Sequence, residues 1–463
     1  MSENKKKFHF IAIGGIGMSG LAKYLLESGC EVSGSDIAAS KYTKQLEKLG
    51  AKVYIGHDEK HVEADMTVVA STAIRDNNPE IIKAKSLGLK VYHRSDILKM
   101  ISEGVGKRDK QLFIGFSGTH GKTTTSGLCS YVLEDAGLEP SYCVGGIIPG
   151  LETNAKSTDG KYFVAELDES DGTIVKYCTD ISVINNLEID HVDFYKDGFG
   201  ELLDTFKVHL SHMAKGGKVI VNNDCNGIKK LIAANPEYDF ITFGLNNSDY
   251  TAQNITYIGI GSEFDIYYKE QKLGSLKLSI PGRHNVYNAL AVSAALVEAG
   301  IPFEKIQAHF TDFTGMGRRF QLVSEFNGIK IVDDYAHHPS EIKTTLESAK
   351  KAAEKRLVAV FQPHRYTRLK GLWEDFQKSF DDVDLLFVVD VYAASEDVIE
   401  GITSEKFVQS LNSDKASYIS GNMEEASKKI APLLREGDLV ITLGAGDITK
   451  IGKAIENSSK TGV

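Results

Sequence analysis

The chain has 463 residues, about three times the roughly 150 of a common domain. Its 42% apolar and 25% charged residues supply material for several cores, which excludes a mostly disordered chain. With 53 basic against 63 acidic residues the net charge is −10, which argues against a nucleic-acid coat or a basic membrane-surface protein. The five cysteines, Cys30, Cys129, Cys143, Cys178 and Cys225, are scattered and form no CxxC pair. That spacing points away from a disulfide framework or a zinc site and toward a reducing, cytoplasmic setting. No apolar run approaches the roughly 20 residues of a membrane span. Lys5-Lys6-Lys7 before Phe8 to Ala12 has the look of a short signal peptide, but Gly14, Gly15 and Gly17 break the run, so it reads as a first strand.

Strand-like runs alternate with helical stretches throughout, the pattern of α/β architecture with mostly parallel sheets. Phe8 to Ile13 reads as a strand, Gly15 to Gly20 as a glycine turn and Leu21 to Ser28 as a helix. Strands follow at Glu31–Ser35, Val53–Ile55, Met66–Ala70 and Lys90–Tyr92, and the polar stretch Ser102 to Lys110 reads as a linker. A second unit opens with strand Leu112–Phe116, turn Ser117–Lys122 and helix Thr123–Ala136. Its strands continue at Tyr162–Glu166, Ile181–Asn185 and Lys218–Asn222, then an antiparallel patch over Asp249–Ile280 and a small-residue helix over Asn288–Ala299. A third unit carries strands at Lys330–Asp333, Leu357–Phe361, Leu385–Val389 and Leu439–Leu443. The expected domains are 1–106, Rossmann-like; 107–314, a phosphate-loop unit; and 315–463, a second Rossmann-like unit.

Two glycine turns carry the strongest chemistry. Gly15-x-Gly17-x-x-Gly20 lies between a strand and a helix, with Asp36 at the end of the next strand. Such glycines let the backbone approach a pyrophosphate at a helix N-terminus, and the acid can bond a ribose. NAD and UDP-sugars share that pyrophosphate, and tight strand–helix packing alone would also use glycine. Gly118-Thr119-His120-Gly121-Lys122-Thr123-Thr124 lies between a strand and a helix as a phosphate-cradling loop does, although Phe116 stands where the full motif has its first glycine. Lys122 would reach the β/γ-phosphates of a nucleotide and Thr123 would ligate Mg²⁺.

Further clusters have two readings each. Glu166 closes a strand near the phosphate loop, where a magnesium ligand belongs, whereas Asp168, Glu169 and Asp171 match the solvated acidic turn that is the usual fate of such clusters. His191, after Asn185 to Asp190, reads equally as a structural side chain or a second-metal ligand. Asn285 and Asn288 could share one helical face or simply cap a helix. Arg318 and Arg319 beside Gly315 and Gly317 suit a phosphate contact or a solvated basic turn. Asp334-Tyr335-Ala336-His337 and His364-Arg365-Tyr366-Thr367-Arg368 end what read as consecutive strands, and Arg365 or Arg368 could pin a carboxylate or form a structural ion pair.

In order along the chain, Gly118 to Thr125, Glu166 to Asp171, Asp190-His191, Gly282 to Asn288, Gly317 to Phe320, Asp334 to Pro339 and Gln362 to Arg368 resemble the Mur ligases. The resemblance runs over essentially the whole chain and implies a UDP-sugar domain, a central ATPase and a C-terminal amino-acid domain. Within the family, it implies ATP-dependent addition of L-alanine to UDP-N-acetylmuramate in the cytoplasm for peptidoglycan synthesis, by a monomer or homodimer. By motif position, Gly118, Thr119, His120, Gly121, Lys122, Thr123 and Thr124 would bind ATP, with His284, Asn285 and Asn288 near the nucleotide. Thr123, Glu166 and His191 would hold Mg²⁺. Arg319 and Asp334 would close on ATP, and His337 with Tyr335, His364, Arg365 and Arg368 would form the amino-acid neighbourhood. Gly15, Ile16, Gly17, Met18, Ser19, Gly20, Asp36, Ser71 and Thr72 would bind the UDP-sugar. Some sister ligases carry a carbamylated lysine after the equivalent of His191; here Phe206 stands near that place beside Lys207, so none is expected. A recycling relative that ligates a preformed tripeptide is the nearest alternative. An NAD-dependent oxidoreductase would leave the Lys122 loop and the third unit without a role.

Overall fold

The computed structural model describes residues 5–71, 74–188, 194–258, 261–394 and 396–461. Thr72 and His191 lie outside the described residues.

The first sheet contains β1 (Lys7–Ile11), β2 (Glu31–Asp36), β3 (Lys52–Ile55), β4 (Met66–Ala70) and β5 (Val91–His93), ordered β3-β2-β1-β4-β5. All its pairings are parallel. The order reverses at β1, so the crevice beyond its carboxyl end receives the Gly15 turn. The helix there runs Ile16–Glu27 rather than starting at Leu21. Gly15 is its N-cap, and Gly17 and Gly20 lie inside its first turns. Behind the crevice, Glu80 is fully buried and accepts from His57 Nδ1 and His61 Nδ1 (2.7 Å each), His9 Nε2 (3.3 Å) and Ser35 Oγ (2.6 Å). These bonds outweigh burial and hold its carboxyl down at about 2.

The central sheet has ten strands in the order β15-β14-β13-β12-β11-β10-β6-β9-β7-β8. They are β6 (Leu112–Ser117), β7 (Ser141–Ile148), β8 (Thr153–Lys156), β9 (Tyr162–Glu166), β10 (Ile181–Ile184), β11 (Lys218–Asn222), β12 (Phe240–Gly244), β13 (Tyr250–Ile258), β14 (Gly261–Tyr268) and β15 (Gln271–Leu278). The run from β12 to β7 is parallel, and antiparallel pairs occur at β7–β8 and β14–β15, the latter in the patch expected from the alternation over Asp249–Ile280. The β7–β8 pair and β12 were not anticipated. Glycines 145, 146 and 150 interrupt the first pair's apolar pattern, and β12 is only half-buried. The helix expected from Asn288 begins at Arg283 and ends at Glu298.

The stretch read as a linker is tied down. Lys107 N donates to Ser28 O at 2.9 Å. Arg108 bonds Ser157 Oγ at 2.9 Å and pairs with Asp159. One apolar core runs without a break from Phe8 and Tyr24 on the first sheet to Phe113, Phe163 and Leu231 on the central one. Tyr24 meets Phe163 edge-on at 5.8 Å.

The third sheet belongs to a second compact unit, formed mainly by the chain from Thr314 onward. It contains β16 (Gln321–Phe326), β17 (Ile329–Asp334), β18 (Leu357–Phe361), β19 (Leu385–Val389), β20 (Ala416–Ile419) and β21 (Leu439–Leu443), ordered β16-β17-β21-β18-β19-β20. Only β16 runs antiparallel to its neighbour. β17, which ends at Asp334, and β18, which leads into His364, follow one another in sequence but are separated in the sheet by β21, the last strand along the chain. Sequence order cannot show such an insertion. No helix among the described residues is long and apolar enough to cross a membrane.

Candidate active site

The phosphate loop leaves β6 with Gly118 at φ 117°, where a Cβ would lie 2.7 Å from the Asn186 carbonyl oxygen, so only glycine fits. Gly121, at φ 83°, is the N-cap of the helix Lys122–Asp135. The end of β10 secures the loop: His120 N donates to Asn186 Oδ1 at 2.8 Å, Asn186 Nδ2 returns a bond to His120 O at 3.0 Å, and Thr119 Oγ1 accepts from Glu188 N at 2.9 Å. Thr119 N also donates to Asn186 O. The first helical bond is Thr125 N to Gly121 O, so the N–H groups of Lys122, Thr123 and Thr124 have no partner within the helix. Donors free to meet an anion therefore lie at this helix start, while Thr119 and His120 hold the loop's shape. Asn185 and Asn186 had no role in the sequence reading, yet their position directly after a strand beside a phosphate loop was the available signal.

Lys122 Nζ donates to Gly118 O (2.8 Å), Thr119 O (3.2 Å) and Glu169 Oε1 (2.9 Å). Its burial would lower the pKa, but Glu169, Asp168 and Glu166 outweigh that and hold the ammonium charged. The acidic turn is thus not the solvated cluster expected from its composition. Glu169 is buried on Lys122, with Oε2 unpartnered. Asp168 accepts from Arg94 Nη2 at 2.7 Å, and Asp171 accepts from Thr173 N and Oγ1. Lys122 and Arg94 draw the Asp168 carboxyl down to about 2, against the burial that would raise it. The strand before Arg94 is legible in the sequence, but its partner Asp168 lies 74 residues on, just past the end of a strand in another sheet, so Arg94 gives no local signal.

Glu166 ends β9, paired in register with Phe116, and its Oε2 accepts from Gly145 N at 2.9 Å. Glu166 and Thr123 offer hard oxygen donors beside the loop. That set fits Mg²⁺, which keeps waters and takes one or two carboxylates plus substrate phosphates. Asn285 and Asn288 are not caps. Both are buried inside the helix Arg283–Glu298, Asn288 Nδ2 donates to Asn285 Oδ1 at 2.9 Å, and a Cβ on Gly121 would meet Asn288 Oδ1 at 3.0 Å. His284 lies exposed in the first turn of that helix. Lys207 is exposed and Phe206 buried, as befits an ordinary amphipathic helix.

In the first crevice, Asp36 Oδ2 accepts from Gly14 N at 2.8 Å, so the acid holds the turn itself. Gly17 has open space around its Cα, consistent with a ligand's close approach. Gly20 instead faces Asn154 of β8: a Cβ there would lie 2.7 Å from Nδ2, which donates to Ile16 O at 3.0 Å. Met18 is buried in the core, Ser19 Oγ turns back to Ile16 O at 3.1 Å, and Ile16 is partly exposed. Ser71 sits just past β4, its N–H on Ile11 O.

In the second unit, Arg318 has φ 61° and donates to Asp333 Oδ2 (3.1 Å) and Gly444 O (2.5 Å), so it is structural. Arg319 lies over the Tyr335 ring at 5.4 Å. Asp334 accepts from Phe320 N and Ala336 N, at 2.8 Å each, and burial pushes its carboxyl up to about 6 against the pull of Arg319. Tyr335, His337 and His364 form an aromatic chain at 5.1 and 5.7 Å, extended by Tyr392, which stacks on His364. Arg368 Nη1 donates to His364 Nδ1 at 3.0 Å, while Arg365 is exposed. Burial, with His337, Arg368 and Arg365 alongside, lowers His364 to about 4, and burial likewise lowers His337. Both imidazoles are neutral near pH 7.

A three-sheet α/β protein with a phosphate loop, a largely buried lysine and an acidic strand end beside it has the architecture of a nucleotide-dependent enzyme. The chain belongs to the Mur ligase family. Its models match residues 7–105 (Mur ligase family, catalytic domain), 116–296 (Mur ligase middle domain) and 318–446 (Mur ligase, glutamate ligase domain). A UDP-N-acetylmuramate–L-alanine ligase of Geotalea daltonii is 40% identical over 454 residues, 97% of each chain. One from Pelotomaculum thermopropionicum is 41% identical over 472 residues, covering 99% of this chain and all of the relative. The crystal structure of a UDP-N-acetylmuramate–alanine ligase from Thermotoga maritima superposes with a TM-score of 0.81 at 26% identity, covering 99% of this chain and 100% of that one.

Proposed function

We propose that this chain is an ATP-dependent ligase that joins L-alanine to UDP-N-acetylmuramate in the cytoplasm, a step of peptidoglycan-precursor synthesis. The observation that carries the reading is the charged, largely buried Lys122 at a helix start whose first N–H groups have no partner within the helix, an arrangement that suits a triphosphate. The choice of acceptor and amine is supported by relatives of that name at about 40% identity over nearly the whole chain.

The acceptor's lactoyl carboxylate attacks the γ-phosphorus, giving an acyl phosphate and ADP. The amine then attacks the acyl carbon and phosphate leaves. Lys122 and the N–H groups of Thr123 and Thr124 stabilise charge on the transferring phosphoryl group. Thr123, Glu166 and His191 would hold Mg²⁺, which when bound offsets further phosphate charge. Asn288 supports Gly121 and so the loop's shape. Gly17 and its neighbours admit the acceptor's diphosphate at the first helix. In the second unit, Arg368 takes the alanine carboxylate. His337 Nδ1 pairs with Tyr335 O at 2.9 Å, leaving Nε2 to accept a proton from the ammonium.

The test is phosphate release with ATP and Mg²⁺, adding UDP-N-acetylmuramate and L-alanine separately and together, with the product weighed. Release that needs both, and a product heavier by one alanine residue, is expected. Release with a tripeptide but not alanine would give the chain the recycling role instead.

A further inference from the structure

Arg94 is a cation that the glycine turns and the phosphate loop leave without a task. It opens the helix Arg94–Ser102 and reaches from the first sheet's side to Asp168 on the central one, Nη2 to Oδ2 at 2.7 Å, with 43% and 30% of the two side chains exposed. The same helix start is stapled again by Lys176, whose Nζ donates to Asp96 Oδ1 (2.7 Å) and Ser95 Oγ (2.8 Å). Arg94 is therefore fixed in place but still open to a ligand.

It faces a cavity of about 80 Å³ between the two sheets. Gly17, Gly145, Asn154, Glu166 and Asp168 share the lining, and Arg94 is the one cation among the described residues there. The space holds several waters and so has room for a carboxylate beside Arg94. With Glu166 and Asp168 in the wall, an anion would be repelled unless Arg94 receives it. A guanidinium presents five N–H donors in a fork that matches a carboxylate bidentately, and Asp168 occupies only the Nη2 arm in this structure.

We propose that Arg94 receives the carboxylate of the sugar-nucleotide acceptor, in exchange for Asp168, and so positions it beside the phosphate loop. The inference rests on the ligase reading above. Asp168 then serves as a placeholder that keeps the fork aligned while the cavity is empty.

The experiment is binding of UDP-N-acetylmuramate, UDP-N-acetylglucosamine (which lacks the carboxylate) and ADP, by calorimetry, to the full chain and to Arg94→Ala, Arg94→Lys and Asp168→Asn. Arg94→Ala should weaken UDP-N-acetylmuramate about 10–100-fold, the scale of a lost bidentate charged pair, and leave the other two ligands within about 2-fold. Arg94→Lys should recover part of the loss. Asp168→Asn, which removes the competitor, should tighten UDP-N-acetylmuramate. Equal loss for both sugar nucleotides, or weaker binding in Asp168→Asn, would overturn the proposal. Failure of the unaltered chain to bind either sugar nucleotide would instead overturn the ligase reading.

Discussion

At the scale of single residues, the largely buried Lys122 and the buried Glu169 make a pair whose two roles can be separated. Lys122→Ala should cut phosphate release by at least about 10²–10³-fold, the range for loss of one preorganised charge-stabilising donor. It also strands the Glu169 carboxylate in the interior, so the melting temperature should fall. Adding Glu169→Gln should restore much of the melting temperature and none of the turnover. Recovery of turnover in the double variant would show that Lys122 serves the fold alone. His364 offers a second check. Its depressed pKa means that the unfolded chain binds a proton near pH 6.5 that the native site refuses until about 4. The ring thus contributes stability above pH 6.5 that is lost as the pH falls toward 4. Its NMR signals should stay flat from pH 8 to 5.5, and a midpoint near 6.5 would contradict the burial described for the Tyr335–His337–His364–Tyr392 cluster.

At the scale of elements, glycines divide by what they face. Gly118 and Gly121 carry positive φ and shape the phosphate loop, whereas Gly20 lets the helix Ile16–Glu27 lie against Asn154 of β8. Gly20→Ala is therefore expected to destabilise by about 1–3 kcal/mol, because the Asn154 amide must give up its bond to Ile16 O or the helix must shift. Gly17→Ala has open space and should leave stability within about 1 kcal/mol, the change being a helix-interior glycine replaced by alanine. Urea denaturation of the two variants checks both, and equal stability losses would refute the distinction. In the sequence Gly17 and Gly20 look alike. Their difference depends on β8, a four-residue strand that the sequence pattern did not show.

At the scale of the whole molecule, three family domains fall into two compact units. The core that runs from Phe8 to Leu231 joins the first and central sheets, whereas the third sheet has cores of its own around Phe361 and Val360. Because burial is shared across the first junction, the first two sheets should melt together and the third separately. Calorimetry should show two transitions rather than three. A separate transition for residues 1–106 would mean that the shared core contributes little.

Local pattern alone was enough to mark both glycine turns, most strands, the mostly parallel sheets, the phosphate loop and the ordered set of family motifs, because each rests on residues close together in the chain. β4, β9, β11, β18, β19 and β21 fall on the expected residues, since buried parallel strands are continuous apolar runs. Tertiary structure decided the rest. It placed β21 between β17 and β18, buried Glu169 against Lys122, set Asn186 to hold the loop and brought Arg94 to Asp168. Each of these joins residues from different elements, and a charged side chain in a polar turn looks the same in sequence whether water or a buried lysine is its partner.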